Sequence, residues 1–148
     1  MAAPASAQPA AKGVLGAGLI VGEPTGVSGK YYLGDDTAVD LAIGGAIVGR
    51  GIQVHADYLW HPWVLEQKDS FALPVFVGVG GMILNHHGSG AEDDHVRLGV
   101  RGPAGILFDF TRVPLDVFAE IALVLDFRTK GDAVGLDINA GIGARYYF

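Results

Sequence analysis

Cysteine is absent from the 148 residues, which excludes a disulfide framework, thiol chemistry and any cysteine-ligated metal centre. Charge is scarce: 18% of positions are Asp, Glu, Lys or Arg, against roughly 25% in ordinary soluble domains. Basic charge is scarcer still. Ten Lys and Arg against 16 Asp and Glu leave a net −6, which argues against nucleic acid as a partner. Missing too is any run of about 20 apolar residues that could span a bilayer as a helix. The nearest, FALPVFVGVGGMIL at Phe71 to Leu84, is too short and carries Pro74, Gly78, Gly80 and Gly81, which a helix interior disfavours.

What the chain does have is apolar residues at 50% of positions and glycine at 23, about twice its usual share of about 7%. These fall in a period of two. At the end of the chain Val134, Leu136, Ile138, Ala140, Ile142, Ala144, Tyr146 and Phe148 form one set, and Gly135, Asp137, Asn139, Gly141, Gly143, Arg145 and Tyr147 the other. That alternation marks a strand with one apolar and one polar face. Eight such segments run from Gly13 to Val21, Thr25 to Leu33, Ala38 to Val48, Gly51 to His61, Ser70 to Leu84, Asp94 to Phe108, Leu115 to Arg128 and Ala133 to Phe148. Turn residues separate them, with PWVLEQKD at Pro62 to Asp69 as one connection and NHHGSGAED at Asn85 to Asp93 as the longest. No segment has a helical period. Residues 1–12 are Ala/Pro-rich and suit a flexible segment; Ala5-Ser6-Ala7 has the form of a signal-peptidase site without the preceding charged and apolar regions. The expected architecture over 13–148 is an all-β, closed eight-stranded antiparallel up-and-down transmembrane β-barrel with short turns.

Which face meets water separates two barrels. A soluble lipocalin-like carrier points its apolar set inward; an outer-membrane barrel points it at lipid and fills its interior with the polar set. The polar set holds Lys30, Asp40, Asp57, Arg97, Arg101, Glu120, Asp126, Arg128, Asp137 and Arg145, five bases and five acids. Glycine, alanine, glutamine, asparagine and histidine alternate with them. A balanced charge set among small residues suits a narrow interior in which ions must pair. The apolar sets Ile52-Val54-Ala56-Tyr58-Trp60 and Val117-Ala119-Ile121-Leu123-Leu125-Phe127 carry no charge. A one-residue slip would present Asp57, Glu120 and Asp126 to lipid, so the pattern sets register as well as class.

The aromatics supply a second test. With alternating strand directions, Tyr31, Tyr32, Tyr58, Trp60, Trp63, Phe71, Phe108, Phe110, Phe118, Tyr146, Tyr147 and Phe148 fall at one rim, leaving out Phe76 and Phe127. Gathering twelve of 14 at one end describes an interfacial girdle, with Tyr31, Tyr58, Trp60, Trp63, Phe71, Phe108, Tyr146 and Phe148 on its lipid side. Pro74 and Pro103 lack the donor that a closed barrel needs, so each predicts a bulge or an early strand end.

The ending GIGARYYF resembles the C-terminal signal of bacterial outer-membrane barrels, in which a glycine precedes alternating aromatics and a final Phe. Gly143, Tyr146 and Phe148 match; Gly141 stands where a polar residue is usual. GEPTGVSGKYYL (Gly22 to Leu33) and HADYLWH (His55 to His61) are similar to stretches of a group of small, uncharacterised Gram-negative outer-membrane proteins, and the size is similar to the OmpA and OmpX type. The resemblance implies residence in the bacterial outer membrane, contact with the lipid bilayer and lipopolysaccharide, and recognition of the last strand by the barrel-insertion machinery. It implies no activity, no cofactor and no particular oligomeric state.

Three constellations invite chemistry. His86, His87 and His95, with Asp93 and Asp94, offer imidazole and carboxylate ligands of the kind that bind Zn²⁺, Ni²⁺ or Cu²⁺, although a solvated loop has the same composition. Ser89 stands near those histidines and aspartates, the residue types of a lipid-modifying hydrolase, but no strand holds them and an enzyme is not expected. His55 and Asp57 share the interior face with Lys30, Arg97, Arg101 and Glu120, which reads either as a narrow ion or small-solute path or as a salt-bridged plug. The glycines of GVLGAG, Gly13 to Gly18, lack the helix a phosphate loop needs and belong to the first strand. The expectation is a structural or interaction component of the cell envelope with a plugged interior.

Overall fold

The computed structural model describes residues 14–45, 51–86, 95–128 and 134–148. They form β1 (Leu15–Gly22), β2 (Thr25–Tyr32), β3 (Thr37–Gly45), β4 (Gly51–Gln67), β5 (Phe71–His86), β6 (His95–Phe110), β7 (Leu115–Arg128) and β8 (Val134–Tyr147). Each strand pairs antiparallel with its sequence neighbour, and β1 closes the ring on β8, giving the closed barrel that the alternation predicts. Both ends of the barrel chain share a rim with the connections 33–36, 68–70 and 111–114.

The register fixes the stagger. From Gly16, successive partners are Lys30, Asp40, Asp57, Gly80, Arg101, Val124 and Asp137. Yet Gly16 itself faces Tyr147 across the β1–β8 seam, so the circuit closes about ten residues out of step. Strands in such a barrel tilt by roughly 35–45° and leave an interior that side chains can fill.

Burial follows the period of two. Along β4, Ile52, Val54, Ala56, Tyr58 and Trp60 are exposed while Gln53, His55, Asp57, Leu59 and His61 are buried. Thirty-two large hydrophobic side chains are exposed among the described residues, Leu19, Leu123, Leu136 and Ile138 among them. Lys30, Asp40, Arg101 and Arg145 are buried. A lipocalin-type barrel requires the reverse, so the soluble-carrier alternative does not fit.

The glycines explain how the interior closes. Phe76, Phe118 and Tyr147 each lie over the glycine directly opposite on the next strand, at Gly105, Gly143 and Gly16. Leu59 lies likewise over Gly78, and Met82 over Gly99. A narrow ring admits a large residue where its cross-strand partner has no side chain. A Cβ at Gly105 would lie 2.4 Å from Phe76 Cζ and 2.3 Å from the Ala119 carbonyl oxygen. Gly105→Ala is therefore expected to cost about 1–3 kcal/mol by overpacking. Gly29→Ala, whose Cβ would meet nothing nearer than 3.6 Å, is expected to be near neutral when both variants are unfolded by urea in lipid vesicles.

Three local expectations change. β4 does not stop at His61 but continues to Gln67, so most of PWVLEQKD is strand. Register shifts between Trp60 and Trp63 and between Val64 and Gln67 place Pro62 at an irregularity, where its missing N–H breaks no regular rung. Pro74 pairs with Val64 beside the second shift, so its bulge lies on the partner strand. Pro103 makes no bulge: β6 runs through it, pairing with β5 lapses between Val77↔Ala104 and Gly80↔Arg101 with unchanged register, and Pro103↔Ala122 holds on the β7 side.

Candidate functional site

The interior is the part of the molecule with chemical potential, and its charges are placed by the inward parity of six strands. At the terminus rim, Tyr147 of β8, Tyr32 of β2, His61 of β4 and Phe76 of β5 cross the lumen in a chain of ring contacts, with centroids 5.9, 5.6 and 6.1 Å apart. Lys30 Nζ donates to His61 Nε2 at 2.8 Å and lies 4.7 Å from the Tyr32 ring centroid. With Nε2 accepting, His61 Nδ1 carries the proton and donates to the Asp36 carbonyl at 2.9 Å. Tyr32, Phe118 and Tyr147, counted with the girdle from position alone, thus point inward. Trp60, Trp63, Tyr31, Tyr58, Tyr146 and Phe148 are exposed outside, Phe71 and Phe108 stack there at 4.4 Å, and Tyr146 meets Phe148 edge-on at 5.5 Å.

Further in, two arginines hold the walls together. Arg145 of β8 donates from Nε to Ser28 Oγ at 3.0 Å and from Nη2 to Asp40 Oδ2 at 3.5 Å. Its Nη1 lies 3.8 Å from Asp116 Oδ2, and its guanidinium 3.9 Å over the Phe118 ring. Tyr147 also donates its hydroxyl to Asp116. Arg101 of β6 meets both Asp57 oxygens with Nε, at 2.9 and 3.0 Å, and Glu120 Oε1 with Nη2 at 3.1 Å. Its Nη1 lies 3.2 Å from His55 Nδ1. Four strands are tied through one guanidinium in the first clamp, and three in the second.

Toward the opposite rim the lining turns apolar, with Met82, Leu84 and Val124 packed together and Asn139 Nδ2 3.9 Å from Met82 Sδ. Above them Arg97 and Asp126 approach to 3.8 Å, and Asp137 is exposed, accepting the Ile138 N–H at 2.8 Å. Arg128 ends β7; its side chain lies outside the description.

The sequence reading missed Asp116 and Asp109, both buried on the inner face. Buried acids are therefore Asp40, Asp57, Asp109, Asp116, Glu120 and Asp126, against the buried bases Lys30, Arg101 and Arg145. Among the described buried residues acids thus outnumber bases, with part-exposed Arg97 and the undescribed Arg128 side chain outside that count. Among the described residues, Asp40 Oδ1, Asp116 Oδ1, Glu120 Oε2 and Gln53 Nε2 are buried without a hydrogen-bond partner. Parity could have found Asp116, four residues from Glu120 on one face; nothing in its spacing marked His61 as the acceptor of Lys30.

Asp40, His55 and Asp57 bring ligand atoms within 4.8 Å of one another. They fit a metal poorly. Arg101 occupies Asp57 and donates to His55 Nδ1, so in the neutral imidazole Nε2 bears the proton and has no lone pair to offer. Of the loop ligands, His86 ends β5 and His95 begins β6, the two paired across the strands, while His87, Ser89, Asp93 and Asp94 lie outside the described residues.

No family model matches the sequence, and no curated protein is similar to it. Among solved structures, the crystal structure of the N-terminal β-barrel domain of Pseudomonas aeruginosa OprF aligns with a TM-score of 0.60 at 20% identity, covering 90% of this chain and 95% of that one. The chain has the fold of that β-barrel domain.

Proposed function

We infer that the protein is an integral outer-membrane barrel whose interior is closed to solutes and which serves as a structural or interaction component of the cell envelope. Its working surface is the outside, which meets the lipid bilayer and lipopolysaccharide. The last strand, with Gly143, Tyr146 and Phe148, is the segment that the barrel-insertion machinery would read. Supporting the closed interior is one arrangement above all: the ring chain Tyr147–Tyr32–His61–Phe76 crosses the lumen directly below two guanidinium clamps. Opening a path would separate Arg101 from Asp57 and Glu120 and displace fully packed rings, each costly in a low-dielectric interior. The exposed apolar band and the fold shared with the OprF barrel support the membrane reading.

Planar-bilayer recording of the refolded protein tests the closed interior. The expected record has no discrete conductance steps. Reproducible unitary steps with ion selectivity would favour the narrow-channel alternative instead.

A further inference from the structure

At the rim opposite the termini the register sets two histidines against each other. His86 ends β5, His95 begins β6, and the two are direct partners across the ladder. A slip of one residue would put Val96 opposite His86 instead, so the pair depends on register. On its other side His86 pairs with Gly51 of β4. The rung therefore reads Gly51, His86, His95, with no side chain at its first place. Directly opposed residues on one face have Cβ atoms about 4.5–5.5 Å apart. Two imidazoles can close that span on one ion, with bonds of about 2.0–2.1 Å.

The surroundings favour an ion from solution. His95 stands thirteen residues along β6 from the girdle residue Phe108. At about 3.3 Å per residue and a tilt of roughly 35–45°, that is a climb of about 30–35 Å. An apolar band is about 25 Å tall, so the pair lies beyond it, in water. The packed layer of Met82, Leu84 and Val124 separates this rim from the charged interior. The interior histidines are committed elsewhere, His55 to Arg101 and His61 to Lys30 and the Asp36 carbonyl. On the next rung inward Leu84 faces Arg97, a cation that would oppose a second one. Its Nη1 lies 3.8 Å from Asp126 Oδ2, which offsets that charge.

We propose that His86 and His95 form a two-imidazole site for a divalent transition metal at the rim opposite the termini, with water completing the coordination shell. Imidazole ligands suit Cu²⁺, Ni²⁺ and Zn²⁺ rather than Mg²⁺ or Ca²⁺, and among the first group Cu²⁺ is held most tightly. A bound ion would tie β5 to β6 where the ladder between them ends. The placing of the pair in water rests on the membrane-embedded reading above; the pairing itself does not.

Titration of tag-free, detergent-refolded protein with Cu²⁺ tests the site, read by calorimetry and by the electron paramagnetic resonance spectrum of the bound ion. The unmutated protein is expected to bind one ion with the hyperfine signature of two nitrogen ligands, a readout that needs no variant. Two ligands held together act as linked sites, so His86→Ala and His95→Ala should each weaken binding on the order of 100-fold. The double variant should lose little more than either single one, and His87→Ala should bind as the parent does. A spectrum without two nitrogens would overturn the proposal. So would a parent that binds no tighter than the double variant, or a loss seen only in His87→Ala. Protein that stayed soluble and monomeric without detergent would instead undo the membrane-embedded reading and leave the copper result standing.

Discussion

Replacing Arg101 by alanine is expected to destabilise the barrel by about 3–5 kcal/mol, enough to leave much of the chain unable to refold. The reason lies in what it leaves behind. Asp57 and Glu120 lose their 2.9–3.1 Å guanidinium contacts while buried, His55 loses its donor, and Asp40 already stands directly across β3–β4 from Asp57. In the intact barrel these groups are almost wholly shielded from solvent. A buried ion cluster is not intrinsically more stable than apolar packing, however. A triple variant, Arg101→Met, Asp57→Leu, Glu120→Leu, should therefore recover most of the loss. Urea titration in lipid vesicles, followed by the exposed Trp60 and Trp63, reads both. An Arg101→Ala variant within 1 kcal/mol of the parent would show that the clamp does not bear on stability.

Charging the outer face is the second large effect. Leu123 sits midway along β7, exposed, with Ile121 and Leu125 two residues away on the same face. Leu123→Arg places a guanidinium near the bilayer midplane at a cost of about 2–4 kcal/mol. Leu65→Arg, beyond Trp63 on the terminus-side extension of β4, should cost about 0–1 kcal/mol, because charge is tolerated near an interface. The contrast depends on lipid. In a soluble protein both exposed positions would accept arginine with little change, so equal, small effects would argue against a membrane-facing outer wall.

Much of this was legible in the alternation itself. The set Ile52-Val54-Ala56-Tyr58-Trp60 can face only one way without exposing His55 and Asp57 to the same medium, and the barrel resolves it as the pattern requires. Period alone also gave the inward parity of Lys30, Asp40, Arg101, Glu120 and Arg145. Other features escaped because they depend on pairing between strands. Tyr32, Phe118 and Tyr147 read as girdle because they are aromatic and near strand ends, yet Phe118 and Tyr147 turn inward over Gly143 and Gly16, which only the register brings opposite. Pro62 read as the start of the connection PWVLEQKD, and only the register shifts show how β4 passes it. The partners of Arg145 come from β2, β3 and β7, and no local spacing could have named them.

Electrophoresis of detergent-refolded protein in SDS, boiled against unboiled, tests the central claim most directly. A closed barrel tied around its full circumference and apolar outside should resist SDS until heated, and the unboiled band should migrate apart from the boiled one. Coincident bands, together with a monomer that stays soluble in plain buffer, would contradict the claim.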